Sequence, residues 1–381
     1  MIEIKNKEMC SGCHSCKSVC PMHCITMETD EEGFLYPHVE KDKCIECGLC
    51  ENRCPILNDM ELHKKNKAYA AYSKNNEIRM QSSSGGVFTH LATRILLSGG
   101  IVYGASFNNQ NQVQHIEVTS IKDLNLLRGS KYVQSVIGNV YSDVKKNLDL
   151  GKNVYFSGTP CQIDGLLFFL GKEYDNLITQ DFICHGVPSP KIWNFYLSEI
   201  LKFTDKSSIF FREKSKGWTK FSINIRNKEK YFKEEASKNA YMKAFLNNYS
   251  LRPSCYSCHS KKKIKNSDIT LADFWGIEKI IPNFNKENMG VSLVLINSEH
   301  GEKIFNQISS QLLIKEVSFE EAIESNPALY TSVKMPRKRN DFFNYYKSRD
   351  FNKYVNKLTN KSIIYYIKKI IIKCLKVLKL R

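Results

Sequence analysis

The first 55 residues carry one cysteine spacing twice, and no other feature of the sequence constrains the fold as strongly. The first run reads C-x2-C-x2-C-x3-C followed by proline, and the second run repeats it in full. A [4Fe–4S] cube needs four thiolates, of which one tight loop supplies three and the other run supplies the fourth. The repeat therefore predicts a ferredoxin-type module with two [4Fe–4S] clusters.

This crossed pattern assigns four ligands to each cluster. The first cluster receives Cys10, Cys13, Cys16 and Cys54. The second cluster receives Cys20, Cys44, Cys47 and Cys50. The segment between the runs, ITMETDEEGFLYPHVEKDKC, is typical of a hairpin with a Glu-Gly turn. Two zinc ribbons are the alternative, but they do not explain eight cysteines with two Cys-Pro endings. Cys24 lies outside the pattern, so we expect a packed thiol there.

Composition is consistent with a metal-binding protein of a reducing compartment. The chain has 381 residues and 14 cysteines. It contains no run of about 18 apolar residues that could span a membrane, and its N-terminus lacks the apolar core of a signal peptide. We therefore expect a cytoplasmic protein, and in such a compartment clustered cysteines indicate metal rather than disulfides.

The net charge of +17 is unevenly distributed, because residues 1–60 carry 6 Lys/Arg and 11 Asp/Glu. The basic remainder suits an acidic cofactor, nucleic acid or anionic lipid. A composition rich in lysine and asparagine explains the charge equally well. No recognisable nucleic-acid module accompanies it, so we expect no nucleic-acid partner.

Beyond the cysteine runs, apolar strands alternate with helices. AYAAYS, IVYGASF, NVYFSG and LITQDFIC read as strands, and helices are indicated at VFTHLATRILL, CQIDGLLFFLG and after HGVPSP. The shorter strands SIFFRE and KFSINIRN indicate an added antiparallel piece, and ITLADFWG and VSLVLINS two further strands. The predicted class is α+β: a bacterial-type two-cluster ferredoxin fold (residues 1–58), an α/β domain with added antiparallel strands (68–310) and a helical tail (311–381).

Four further cysteines could form a third metal site. Cys161 and Cys184 each follow a predicted strand, and Cys255 and Cys258 form a C-x2-C pair on a loop. Ligands of open α/β sheets gather beyond the carboxyl ends of the strands, so neighbouring strands would bring these thiols together. The alternatives are a zinc site, or two core cysteines plus a separate redox or zinc C-x2-C pair.

Two short segments have the composition of anion-binding loops. SSSGG precedes a helix, whose N-terminus favours negative charge, and its glycines would let a phosphate approach the backbone. LRGSKYVQS offers Arg128 and Lys131 among small residues. A helix cap and a solvated loop explain these two segments as well as a ligand does.

Taken in order, six segments resemble the family of coenzyme F420 hydrogenase/dehydrogenase beta subunits over roughly residues 5–300. They are SSSGGVFTHLA, LRGSKYVQS, FSGTPCQIDGL, FICHGVPSP, RPSCYSC and SDITLADFWGI. The resemblance implies an FAD-containing iron–sulfur oxidoreductase that exchanges electrons with a deazaflavin or another two-electron acceptor. It also implies that Cys161, Cys184, Cys255 and Cys258 hold a third [4Fe–4S] cluster, and that the α/β domain binds flavin.

The same resemblance implies which residues contact the flavin. They are Ser83, Ser84, Gly85, Gly86, Arg128, Lys131, Tyr132, Thr159, Pro160 and Gln162. His185 is the candidate proton donor at the flavin, with a structural histidine as the alternative. A non-catalytic subunit that feeds electrons to a partner enzyme is the alternative function. Some members of this type are linked to surface polysaccharide production, which gives one setting for that role.

The last 20 residues predict a basic amphipathic helix. On a helical wheel its lysines gather on one side and its isoleucines and leucines on the other, the pattern of a helix that lies in a membrane interface. Its lysines interrupt the apolar run, so it is not a spanning segment. We therefore expect peripheral contact with the inner face of a membrane, with packing on the body or on a partner as the alternative.

Overall fold

The computed structural model describes residues 1–59, 67–263 and 265–360, and its front module is built around one hairpin. The hairpin strands Ile25–Thr29 and Leu35–Val39 pair antiparallel, with the predicted turn at Gly33. Gly33 has a φ of +90°, and a Cβ there would lie 2.3 Å from the Cβ of Lys191. Only glycine therefore allows this turn to sit against the body of the protein.

Within the described residues the strands are numbered β1 to β13 in chain order. Their bounds are Ile25–Thr29, Leu35–Val39, Lys67–Ser73, Ile101–Phe107, Val113–Val118, Val154–Ser157, Leu177–Phe182, Ser208–Glu213, Ser222–Arg226, Tyr231–Glu235, Ile269–Asp273, Ser292–Ile296 and Leu312–Val317. The α-helices α1 to α13 are Ser15–Val19, Leu49–Asn52, Asn76–Gln81, Val87–Leu97, Val140–Asp149, Pro160–Leu170, Pro190–Phe195, Ala240–Leu246, Ile277–Ile280, Glu299–Ile308, Phe319–Glu324, Arg339–Tyr345 and Phe351–Thr359.

The body is organised on an eight-stranded sheet with the order β13-β3-β12-β11-β7-β6-β4-β5. Its four central strands, β11, β7, β6 and β4, run parallel, and the pairs outside them are antiparallel. One face packs against α4 and α10, and the other packs against α5 and α6. Because both faces are covered, β4 and β6 are mostly apolar, as expected for a buried parallel sheet. The neighbouring strands β7 and β11 also bury polar side chains, namely Thr179, Gln180, Asp181 and Thr270.

A second, three-stranded sheet of β8, β9 and β10 supplies the added antiparallel piece. Its core includes Trp193 from α7 and Tyr241 from α8, together with apolar residues of α12 and α13. The last two described helices, α12 and α13, therefore pack against the core of the three-stranded sheet.

The structure corrects part of the sequence-based organisation. Leu312–Val317 is an edge strand of the main sheet, paired with β3, and not part of a helical tail. A boundary at residue 310 therefore cuts through the sheet, because the strand completes the hydrogen bonding of β3. The predicted amphipathic helix lies outside the described residues. Among the residues described, no helix is long and apolar enough to cross a membrane.

Candidate functional site

The structure brings together the thiols of the first predicted cluster. These are Cys10, Cys13, Cys16 and Cys54. The first three belong to the first cysteine run, and Cys54 comes from the second run. The pKa of the Cys13 thiol is raised to about 12, mainly by burial, and the neighbouring thiols of Cys10 and Cys54 act in the same direction. Four neighbouring thiols, whose thiolate forms repel one another, favour a bound cation that neutralises them.

The thiols of the second predicted cluster line one small cavity. They are Cys20, Cys44, Cys47 and Cys50. Cys47 is exposed, whereas Cys50 is buried and its Sγ accepts a hydrogen bond from the backbone N–H of Ile2 at 3.3 Å. Cys24 is buried, and its Sγ lies 3.4 Å from that of Cys20. It is thus a packed thiol at the edge of this group.

The four body cysteines line a single cavity of about 100 Å³. They are Cys161, Cys184, Cys255 and Cys258. Cys161 follows β6 and Cys184 follows β7, which are adjacent parallel strands, so both thiols lie beyond the carboxyl ends of the sheet. Burial raises the pKa of each of the Cys161, Cys184 and Cys255 thiols, and that of Cys255 reaches about 12.

Local sequence fixes the position of Cys161. Thr159 and Gln162 form a reciprocal capping box at the start of α6, with Pro160 in its first turn. The Oγ1 of Thr159 lies 3.2 Å from the Sγ of Cys161, and Gln162 Nε2 donates to the carbonyl of Ser135 at 3.2 Å. These three predicted flavin residues therefore shape the turn that carries Cys161.

In the described part of the chain, no three His, Cys, Asp or Glu side chains are arranged to share a single metal ion. The described cysteines are all free thiols. In a [4Fe–4S] cluster each thiolate binds a different iron, so its ligands stand around the cluster rather than around one ion. The cysteine groups have the donor chemistry of such clusters.

The front module is fixed to the body close to its first cysteine group. A Cβ on Gly165 of α6 would lie 2.7 Å from the Cβ of Cys13, so the helix packs directly on that loop. Arg252, just before the body C-x2-C pair, donates through Nε to the carbonyl of Cys10 at 2.8 Å. Arg339 forms a two-pronged ion pair with Glu32 at 2.7 and 2.5 Å.

Two of the predicted flavin segments lie side by side. The hydroxyl of Ser83 accepts hydrogen bonds from the N–H and the hydroxyl of Ser130, at 2.7 and 2.9 Å. Ser84 donates to the carbonyl of Val291 at 2.7 Å, so its hydroxyl proton is already used within the protein.

The glycines of SSSGG have a structural reason that the sequence interpretation did not give. A Cβ on Gly85 would lie 2.4 Å from the carbonyl oxygen of Ala71, and the Gly85 N–H donates to Ser292 at 3.0 Å. Gly85 therefore allows the loop to pack on β3 and β12. Gly86 has a φ of +92° at the start of α4, a conformation that favours glycine.

Among the described residues, neither Arg128 nor Lys131 forms an ion pair with a carboxylate. Lys131 donates to the carbonyls of Leu127, Arg128 and Gly129, at 3.1, 2.9 and 3.2 Å. Burial lowers the pKa of Lys131 to about 7. Arg128 has a buried Nε without a hydrogen-bond partner. An anion at this place would restore the charge of Lys131 and satisfy Arg128, so the segment fits a phosphate or another acidic group.

The sequence analysis did not identify Lys214, a buried lysine that donates hydrogen bonds to the backbone at the SSSGG loop. Lys214 is 3% exposed and donates to the carbonyls of Arg79, Ser84 and Met289, at 2.6, 3.0 and 2.7 Å. Burial lowers the pKa of Lys214 to about 7. It lies in the strand-to-turn sequence REKSKG, whose local pattern gives no sign of a partner 130 residues away.

Tyr132 and His185 both contact the aromatic ring of Phe245. The Tyr132 and His185 rings are 5.0 and 5.2 Å from that of Phe245. Tyr132 accepts from Arg212 at 3.3 Å, whereas His185 lines the body cysteine cavity and shares a 2.7 Å hydrogen bond with Asn248. Burial lowers the pKa of His185.

Comparison with known families agrees with this arrangement. The N-terminal and C-terminal models of the coenzyme F420 hydrogenase/dehydrogenase beta subunit match residues 68–140 and 151–322, and a 4Fe-4S dicluster domain matches residues 9–57. The chain belongs to the family of coenzyme F420 hydrogenase/dehydrogenase beta subunits. The C-terminal family match continues past residue 310, in accord with the edge strand found there.

Two curated relatives of this family member are a dehydrogenase component and a reductase. A coenzyme F420-dependent sulfite reductase of Methanocaldococcus jannaschii is 24% identical over 368 residues, covering 92% of this chain and 54% of that protein. One component of the F(420)H(2) dehydrogenase of Methanosarcina mazei is 24% identical over 172 residues, covering 42% and 48% of the two chains. This chain thus spans about half the length of each relative.

A solved structure is also similar to this family member. The F420-reducing [NiFe] hydrogenase complex from Methanosarcina barkeri contains a chain that is 17% identical, with a TM-score of 0.43. The similarity covers 70% of this chain and 91% of the hydrogenase chain.

Proposed function

We propose that this family member is an iron–sulfur flavoprotein oxidoreductase that passes electrons between [4Fe–4S] clusters and a two-electron acceptor. The observation that carries the proposal is the body cavity, where four thiols from three separate segments converge. Residues Met9 and Ser11, which flank Cys10 of the front module, line the same cavity. The two groups of ligands are therefore neighbours, as a chain of electron carriers requires.

Cations around the body cavity suit a negatively charged cluster. Lys261 donates to the carbonyls of Cys184 and Ala328, and Lys265 donates to the carbonyl of Ser260 at 2.7 Å. Both lysines line the cavity together with Arg252. Their positive charge offsets the negative charge of the bound thiolates. Burial alone would disfavour these charged thiolates.

The residues proposed to hold FAD are those of the two joined segments and the Cys161 turn. Arg128 and Lys131 would face the acidic part of the flavin, since neither has a carboxylate partner in the described residues. Lys214 would act indirectly, because it holds the loop that carries Ser83 and Ser84. FAD, when bound, supplies the exchange between one-electron and two-electron chemistry.

The acceptor is proposed from the relatives. Coenzyme F420 occurs in the names of both curated relatives, so it is the first acceptor to test. The alternative is a subunit that passes electrons to a partner enzyme without a substrate of its own. Exposure of Cys47 at the second front group favours a redox partner protein on that side.

The iron and zinc content of the chain tests the three proposed clusters directly. Three [4Fe–4S] clusters require about twelve irons per chain after anaerobic reconstitution. The Cys255→Ser/Cys258→Ser variant should retain about eight, because the front module keeps its ligands. Stoichiometric zinc in the body, or an unchanged iron content in the variant, would contradict the third cluster.

A panel of acceptors then separates the two functions. The reduced holoprotein is mixed anaerobically with coenzyme F420, nicotinamide cofactors and soluble ferredoxins, and acceptor reduction is followed by absorbance. Reduction of a small two-electron acceptor at a rate that depends on bound FAD supports an enzyme. Reduction of ferredoxins alone would indicate an electron-transfer subunit.

A further inference from the structure

One arginine contacts both the front module and the segment that carries the body C-x2-C pair. Arg252 donates through Nε to the Cys10 carbonyl at 2.8 Å and through Nη2 to the Leu35 carbonyl at 2.9 Å. Its Nη2 also lies 3.7 Å from the Sγ of Cys10, within hydrogen-bond range for sulfur. The guanidinium thus reaches a predicted ligand atom of the first front cluster.

The sequence around Arg252 holds the guanidinium in this place. Pro253 follows it and starts the short helical turn Pro253–Ser257, which carries Cys255. On the front side, Gly12 has a φ of +67°, and a Cβ there would lie 2.8 Å from Nη1 of Arg252. The glycine between Cys10 and Cys13 therefore leaves the room that the guanidinium occupies.

The side chain of Arg252 is fully buried and has no carboxylate among its described contacts. Nη1 donates to the amide oxygen of Gln134 at 3.1 Å, and the guanidinium carbon lies 4.3 Å from the centre of the Tyr36 ring. An unpaired buried charge is costly unless an anion lies nearby. The Sγ of Cys10, 3.7 Å from Nη2, would supply such a negative charge as a cluster ligand.

We propose that Arg252 is a positioning residue that raises the reduction potential of the first front cluster and holds that cluster beside the body cysteine cavity. The proposal rests on the ligand assignment of that cluster, Cys10, Cys13, Cys16 and Cys54. It does not depend on the third cluster or on FAD.

The physical basis is electrostatic. An N–H directed at a ligand sulfur, and a positive charge beside it, stabilise the reduced cluster, which carries one more negative charge than the oxidised one. Reduction adds one electron to the cluster, and no bond forms or breaks at Arg252.

A purely structural role is the competing explanation, because Arg339 also fastens the module to the body. Arg339 binds the carboxylate of Glu32 and the carbonyl of Leu251, and none of its described hydrogen bonds involves a cysteine. The Glu32→Gln/Arg339→Gln variant is therefore the matched control. It alters the same interface away from the cysteines, keeps the total charge of the pair unchanged and leaves Arg252 in place.

The test is an EPR-monitored redox titration of the anaerobic full-length chain with dithionite as the reductant. Arg252→Gln removes the charge, and Arg252→Lys keeps the charge but loses the fork of donors. The second front cluster, assigned to Cys20, Cys44, Cys47 and Cys50, serves as an internal reference within each sample. Iron content and the visible spectrum establish that both front clusters are present.

In Arg252→Gln we expect one front cluster to shift to a lower potential while the reference cluster stays constant. Arg252→Lys should shift less in the same direction, and the control variant should shift neither. Unchanged potentials in Arg252→Gln with both clusters present would overturn the proposal. An equal shift in the control variant would also overturn it. If Arg252→Gln loses one cluster, the Arg252→Lys variant becomes the deciding test. An unchanged reduction potential in Arg252→Lys, together with a normal iron content, would reject the idea that the donor fork of Arg252 raises the potential.

Discussion

Replacing Arg339 should loosen the front module far more than a surface substitution would. The Arg339 and Glu32 side chains are only 5% and 14% exposed, and Arg339 also donates to the Leu251 carbonyl at 2.7 Å. Removing one partner of a buried pair typically costs about 3–5 kcal/mol, because the other charge stays buried without compensation. At about 1.4 kcal/mol per decade, the open form of this interface should become roughly 140- to 3,700-fold more populated in Arg339→Gln.

Hydrogen–deuterium exchange measures this opening on both sides of the interface. Peptides that cover residues 28–36 and 248–257 should exchange faster in Arg339→Gln, while peptides of the central strands β6 and β7 serve as the internal control. The Glu32→Gln/Arg339→Gln variant should recover much of the loss, since no charge remains buried. A change of less than about 1 kcal/mol in the single variant would mean that the pair behaves like an exposed ion pair, and the reasoning from burial would be refuted.

Three further predictions use other parts of the chain. FAD affinity of flavin-free protein should fall as pH rises through about 7, because the anion prefers protonated Lys131, and Lys131→Met should bind weakly at every pH in a fluorescence titration. Gly165→Ala should lose iron from the first front cluster, because the added methyl group overpacks against Cys13. Such overpacking costs about 1–3 kcal/mol, which exceeds the roughly 1 kcal/mol that alanine gains in helix propensity. Iron analysis of the purified variant checks this prediction. The full chain should co-sediment with anionic vesicles at low salt, and a chain ending at Asn360 should not; equal sedimentation would reject the predicted anchor.

The alternating elements were predictable because each leaves a local pattern. The helix Val87–Leu97 and the strands Val154–Ser157 and Leu177–Phe182 were all expected from apolar spacing and flanking glycines, and the structure contains them. The sequence placed Cys161 and Cys184 together only on the condition that β6 and β7 are neighbours. The structure meets this condition, because β6 and β7 pair in parallel. Periodicity thus gave the elements, and the sheet order had to come from the structure.

Long-range partners left no local signal. Arg339 pairs with Glu32 across 307 residues, and Arg252 contacts Cys10 across 242. The edge strand Leu312–Val317 was misread as helical because an edge strand with charges in its sequence lacks a clear alternation. The arginine in RPSC was visible in the sequence, but its role depends on a carbonyl and a sulfur that only the fold brings close.

The two front cysteine groups differ in what surrounds them, and this difference suggests an order for the proposed electron carriers. The first group is packed against Gly165 and Arg252 of the body. The second group leaves Cys47 exposed, beside an Ile45 side chain that is 61% exposed. We therefore propose that an external redox partner would meet the second group, and that exchange with the body cavity would pass by the first. Arg252 stands at the junction between these two steps, so a change in its charge should alter transfer within the chain without altering the surface that a partner would contact.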